Sequence, residues 1–119
     1  MTDAEGILAA AKERIAAESA GVSAVADELD ETFLTAARLL YGCRGKVFVS
    51  GSGTSGTVAR RMAHLLAVSG TPAIFLPAMD ALHGTLGVVT EGDIVIEISK
   101  GRGSPEINDL VPRSQDPGA

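Results

Sequence analysis

The nine residues Ser50–Val58, SGSGTSGTV, place Gly51, Gly53 and Gly56 at the spacing G-x-G-x-x-G, directly after an apolar run and at the start of a helical pattern. Glycines there let the backbone approach an oxyanion, and a helix start offers free N–H groups with a partial positive charge, so the chemistry implied is anion binding. A nucleotide P-loop needs Lys followed by Ser or Thr after the last glycine; this chain has Thr57 and Val58, which excludes it. A dinucleotide site needs a carboxylate at the end of the next strand, where this chain has Leu76, Pro77 and Ala78 before Asp80, so that reading stays open only as a runner-up. A second polar stretch, Ser99-Lys100-Gly101-Arg102-Gly103-Ser104, follows a later apolar run. Two hydroxyl-bearing loops facing one small anion fit a phosphorylated sugar better than a dinucleotide.

Those loops need elements that bring them together. Residues Asp3–Ala20 are rich in Ala, Glu, Lys and Arg, and predict a first helix stopped by Gly21. Val22, Val25, Leu29, Phe33, Ala36 and Leu40 step by three and four, predicting a second, amphipathic helix ending near Gly42. Beyond Gly45 the pattern becomes short apolar runs alternating with helical stretches, the signature of βαβ units and a parallel sheet. Strands are expected at Lys46–Ser50, Thr71–Leu76 and Asp93–Ser99, each apolar enough to be covered on both faces. A helix is expected over Ser55–Val68, with Val58, Met62, Leu65 and Leu66 on its inner side and Arg60, Arg61 and His64 in solvent. Ser104 and Pro105 read as the cap and first position of a further helix. In the strand order 2-1-3 the first and third strands are neighbours, and their loops emerge side by side at the switch point where α/β ligands bind.

The chain has 119 residues, 45% of them hydrophobic and 21% charged, which fits one globular domain with a modest core. Its net charge of −5 argues against nucleic acid or an anionic membrane surface as partner. The lone Cys43 cannot close an intrachain disulfide, and MTDAEGILAA lacks the basic-then-apolar order of a signal peptide, so a cytoplasmic setting is expected. No metal or cofactor is implied.

Three ordered segments together carry a family resemblance. VFVSGSGTSG has G-x-G-x-S-G at Gly51 to Gly56, SGTPAIFLPAMDALHGTLG has H-G-x-L-G at His83 to Gly87, and DIVIEISKGRGSPEI stands at a second serine-rich loop. In these the chain resembles the sugar isomerase (SIS) domain family, and within it the arabinose-5-phosphate isomerase branch. The resemblance implies a three-layer α/β/α flavodoxin-like parallel sheet with N-terminal helices, incomplete at its C-terminus. It also implies phosphate held by hydroxyls and amides, dimers or tetramers, and aldose–ketose isomerisation in many members. The expected organisation is a helical segment at 1–44 and a partial phosphosugar-binding domain at 45–119, treated as one domain.

Carried across, the binding positions are Ser52, Gly53, Thr54, Ser55, Ser99 and Ser104, and the family histidine is His83. The branch has Lys where this chain has Thr54 and Glu where it has Gly103, and both departures remove acid–base chemistry. His83 is one candidate replacement. Glu97, which interrupts a buried strand on the face of Ser99, is the other, with an ion pair or an edge position as its simpler explanation. The expected function is thus a phosphosugar-binding domain of a sugar-phosphate isomerase. The alternatives are a non-catalytic sensor using the same pocket and, more remotely, a dinucleotide-binding domain. A third strand with nothing after it to cover its edge implies a homo-oligomer.

Overall fold

The computed structural model describes residues 3–79 and 84–100, with only the backbone of Thr85 and Leu86. His83, Ser104, Arg102 and Gly103, all singled out by the sequence, lie outside the described residues. The chain divides into two compact units, Met1–Arg38 and Leu39–Ala119.

In the first unit a helix, α1, runs over Ala4–Glu28, capped by the Asp3 carboxylate, which accepts from the Gly6 N–H. It passes straight through Gly21, the expected stop. A glycine inside a helix costs only about 1 kcal/mol relative to alanine, and the alanine-rich turns on either side carry it. The break comes instead at Leu29–Asp30: the Asp30 carboxylate accepts from the Thr32 N–H at 2.9 Å and so caps a second helix, α2, over Glu31–Tyr41. The stripe expected on one helix from Val22 to Leu40 is therefore divided between two. Much of it is exposed, with Val22 at 73% and Phe33 at 53%.

The second unit has a three-stranded sheet of β1 (Val47–Gly51), β2 (Ala73–Phe75) and β3 (Ile94–Ile98), all parallel in the order β2-β1-β3. Each strand is somewhat shorter than, or shifted by one residue from, the apolar run that announced it. Helix α3 (Thr54–Val68) lies on one face. There Val47 and Val49 meet Ala59 and Ala63, flanked by Leu40, Cys43, Met62, Leu66, Phe75 and the three isoleucines of β3.

The inner side of α3 matches the expectation at Met62 and Leu66, which pack against the core, and departs from it elsewhere. Gly56, Ala59 and Ala63 are buried, while Val58 and Leu65 stand 56% and 46% exposed. Small side chains at steps of three and four bring the helix axis close to the sheet, and the large ones flank that seam. The coverage of β3 is also thinner than expected, since all five of its residues are half-buried. Among the described residues no helix is long and apolar enough to cross a membrane.

Candidate functional site

β1 and β3 end level with one another, because Ser50 pairs in register with Glu97 and Gly51 with Ile98. The chain leaving β1 and the chain leaving β3 therefore emerge together. Gly53 takes φ 59° and ψ −129°, a conformation open to glycine and strained for other residues, and so turns the chain into α3. Among the described residues no side chain caps this helix end. The Thr57 hydroxyl donates to the Thr54 carbonyl at 2.6 Å.

A cavity of about 260 Å³ opens where the two chains meet, lined by Ser52, Gly53, Thr54, Ser55, Ile98, Ser99 and Lys100. Five of the six expected binding positions are thus brought to one place; the sixth, Ser104, lies outside the described residues, as does His83. Lys100 adds a cation to the same wall. Hydroxyls, an open helix start and one ammonium suit an anion of phosphate size.

Glu97 lies one step deeper. Ile94, Ile96 and Ile98 pack toward α3, so alternation sends Glu97 to the opposite face beside its register partner Ser50. Both Glu97 carboxylate oxygens and the Ser50 hydroxyl are shut off from solvent with no hydrogen-bond partner among the described residues. The ion pair expected for Glu97 does not form there. Burial instead pushes its carboxyl up to about 7.

An acid whose folded-state value is raised holds its proton longer than in the unfolded chain, so the stability it contributes is fully present below about 4.5 and is lost as pH rises through about 7. Unfolding by urea at pH 4.5 and at pH 8 is expected to show this loss in the wild type and a flatter profile in Glu97→Gln. A wild-type stability that holds or rises over that interval means that a cation pairs with Glu97.

Sequence reasoning missed two residues. Arg60, read as part of a solvated face, lays its guanidinium 4.4 Å from the centre of the Phe75 ring, beside the glycine loop. Asp93, read only as the start of a strand, anchors the sheet: its carboxylate accepts from the N–H of Lys46 at 2.7 Å and of Thr90 at 2.8 Å. Its position just before β3, with a lysine just before β1, was the available signal. Cys43 behaves as a half-buried thiol, its Sγ 3.4 Å from the Gly92 carbonyl.

A glycine loop and a serine-bearing strand end converging on one anion-sized cavity fit the resemblance seen in the sequence, and the SIS domain profile matches residues 39–119. The chain belongs to the SIS domain family. Among its relatives is the arabinose 5-phosphate isomerase GutQ of Escherichia coli K12, 37% identical over 112 residues, covering 94% of this chain and 35% of that protein. The arabinose 5-phosphate isomerase KdsD of the same strain is 40% identical over 103 residues, covering 87% and 31%. The solved structure of a candidate sugar-phosphate isomerase from Listeria monocytogenes superposes with a TM-score of 0.93 at 34% identity over all of this chain and 63% of that one. A protein of E. coli CFT073, solved in complex with arabinose 5-phosphate, superposes at 0.88 with 33% identity, over 94% and 60%. This SIS chain therefore spans about a third of the curated relatives' length.

Proposed function

We propose that this chain is the phosphosugar-binding part of an aldose–ketose sugar-phosphate isomerase acting on a pentose phosphate of the arabinose 5-phosphate class. The observation that carries this reading is the single cavity uniting Ser52, Gly53, Thr54 and Ser55 with Ser99 and Lys100. Its relatives named as arabinose 5-phosphate isomerases and the arabinose 5-phosphate complex of a similar fold support the choice of sugar.

In this reading the hydroxyls of Ser52, Thr54 and Ser55, the Gly53 backbone, Ser99 and, from the second loop, Ser104 hold the phosphate, with Lys100 offsetting its charge. His83 addresses the sugar. Isomerisation moves a proton from C2 of the open aldose to a base, giving an enediol, and returns one to C1, so no external oxidant is required. With Thr54 and Gly103 standing where the branch has Lys and Glu, His83 and Glu97 are the acid–base candidates of this chain. Residues 1–44 form a helical segment and 45–119 the binding domain. The exposed apolar side chains of α1 and α2 support a homo-oligomer, to be checked by light scattering at micromolar concentration.

Arabinose 5-phosphate, other pentose phosphates and hexose phosphates, each tested for thermal stabilisation and for interconversion, decide the matter. Stabilisation with turnover is expected. Stabilisation without turnover gives the sensor reading, which the Thr54 and Gly103 departures favour, and stabilisation by NAD alone removes both. Ser55→Ala is expected to weaken the phosphosugar by about 1 kcal/mol, roughly fivefold in Kd by titration calorimetry. An unchanged Kd places the phosphate elsewhere.

A further inference from the structure

The loop Gly51–Gly56 opens on two sides. Toward β3 lies the hydroxyl-lined cavity; toward β2 lies a second, of about 320 Å³, which shares only Ser52 and Gly53 with the first. Its chemistry is different. The Thr57 hydroxyl is already bonded to the Thr54 carbonyl, so the polar side chain that belongs to this side and not to the first cavity is Arg60, beside the shared Ser52. The opposite wall is Phe75, Pro77, Ala78 and Met79.

Arg60 is more than a solvated charge in this setting. Its guanidinium carbon sits 4.4 Å from the Phe75 ring centre, within cation–π range, which holds the donor fork beside the cavity. It forms no salt bridge among the described residues. In a chain of net charge −5, a guanidinium at the mouth of a cavity with no carboxylate on it among the described residues is suited to a bidentate oxyanion. The wall beside it is apolar and partly aromatic, which suits a flat unsaturated ring rather than a polyhydroxylated sugar. The volume is at the lower end for small-molecule sites and too small for a dinucleotide.

We propose that the β2-side cavity is a second ligand site taking an organic phosphate with a flat ring, its phosphate on the Arg60 fork and its ring along Phe75, Pro77 and Met79. Because Ser52 and Gly53 belong to both cavities, the two ligands share a loop, and each changes the other's affinity by the same factor. This second site is separate from the isomerase reading and does not depend on turnover.

Phenyl phosphate, a nucleoside monophosphate and arabinose 5-phosphate titrated into the whole chain by calorimetry provide the test. Arg60→Gln is expected to raise the Kd of the two ring phosphates at least roughly tenfold, as for loss of a charged bidentate contact, and to leave arabinose 5-phosphate within about twofold. Ser55→Ala is expected to raise the Kd of arabinose 5-phosphate roughly fivefold and to leave the ring phosphates within about twofold. Met79→Glu, at a side chain 48% exposed and so safe for folding, puts a carboxylate in the wall and is expected to repel the ring phosphates as strongly.

Ring phosphates that fail to bind below about 10 mM, that are indifferent to both Arg60→Gln and Met79→Glu, or that are lost with Ser55→Ala overturn the second site. Ring phosphates that bind through Arg60 while arabinose 5-phosphate does not bind overturn the isomerase reading and leave the second site standing.

Discussion

Gly51→Ala is expected to cost the domain about 3 kcal/mol and to abolish phosphosugar binding, although it adds a single methyl group. A Cβ built at Gly51 lies 2.7 Å from the Ser55 carbonyl oxygen, 2.8 Å from its carbon and 3.0 Å from the Gly56 nitrogen. All three are backbone atoms in the first turn of α3, so no rotamer change can relieve the clash. The turn itself must move, and Ser52, Thr54 and Ser55 ride on it. Gly56 faces the same interface from the helix, where a Cβ would stand 2.9 Å from the Gly51 carbonyl oxygen. The two glycines thus set how closely the helix start approaches the strand end.

Gly53→Ala separates this steric effect from conformational strain. Nothing lies within 4 Å of a Cβ there, but φ is 59°, so only the strain of a left-handed residue is expected, about 1–2 kcal/mol. Urea unfolding of the three proteins checks the order wild type, Gly53→Ala, Gly51→Ala. A Gly51→Ala protein as stable as the wild type, or one that still binds arabinose 5-phosphate with unchanged Kd, removes close helix–strand packing as the basis of the site.

What could be read from the sequence was whatever depends on local pattern. The three apolar runs became β1, β2 and β3 because continuous β-branched and aromatic stretches between glycines have little alternative. The meeting of Ser52–Ser55 with Ser99 followed once the flavodoxin-like order 2-1-3 was adopted, because it makes the first and third strands neighbours. The family resemblance supplied the class of ligand, a sugar phosphate, and left the sugar itself open.

What could not be read depends on competition between neighbours. Gly21 looked like a stop but lost to flanking turns of strong helix propensity, whereas Asp30, unremarked in composition, won because its carboxylate reaches the Thr32 N–H. On α3 the large side chains Val58 and Leu65 drew the eye, yet packing density favours a seam of Gly56, Ala59 and Ala63 against the sheet. Arg60 was indistinguishable from Arg61 until the end of β2 brought Phe75 beneath it. Glu97 was correctly seen as anomalous, but its partner Ser50 is a register neighbour that only the sheet reveals.

Asp93→Ala is expected to destabilise the domain by about 3 kcal/mol or more at neutral pH, and by progressively less as the solution is acidified. The Asp93 side chain is 1% exposed and gathers several donors: the N–H of Lys46 at 2.7 Å, the N–H and hydroxyl of Thr90 at 2.8 and 3.2 Å, and the Lys46 ammonium, 3.3 Å from the nearer oxygen. Burial pushes its carboxyl up, but the hydrogen bonds from Lys46 and Thr90 outweigh this and hold it down at about 2. Truncation leaves two backbone N–H groups without an acceptor, each costing about 1–3 kcal/mol if buried. It also unties the start of β3 from the start of β1, the register on which the cavity depends. Gly45 contributes by leaving room, since a Cβ there would collide with the Asp93 carboxylate. Because the folded-state value lies below the ordinary 3.8, the carboxylate's contribution is fully present above about pH 4 and is lost as pH falls through about 2. Wild type and Asp93→Ala should therefore converge in stability between about pH 4 and pH 2. Lys46→Met, which removes only a partly exposed ammonium and keeps the backbone donor, should cost no more than about 1 kcal/mol. Urea unfolding of the three proteins across that pH range distinguishes the terms: a gap between wild type and Asp93→Ala that stays constant down to about pH 2 means the loss is packing alone, with no charge-assisted anchor between the two strands.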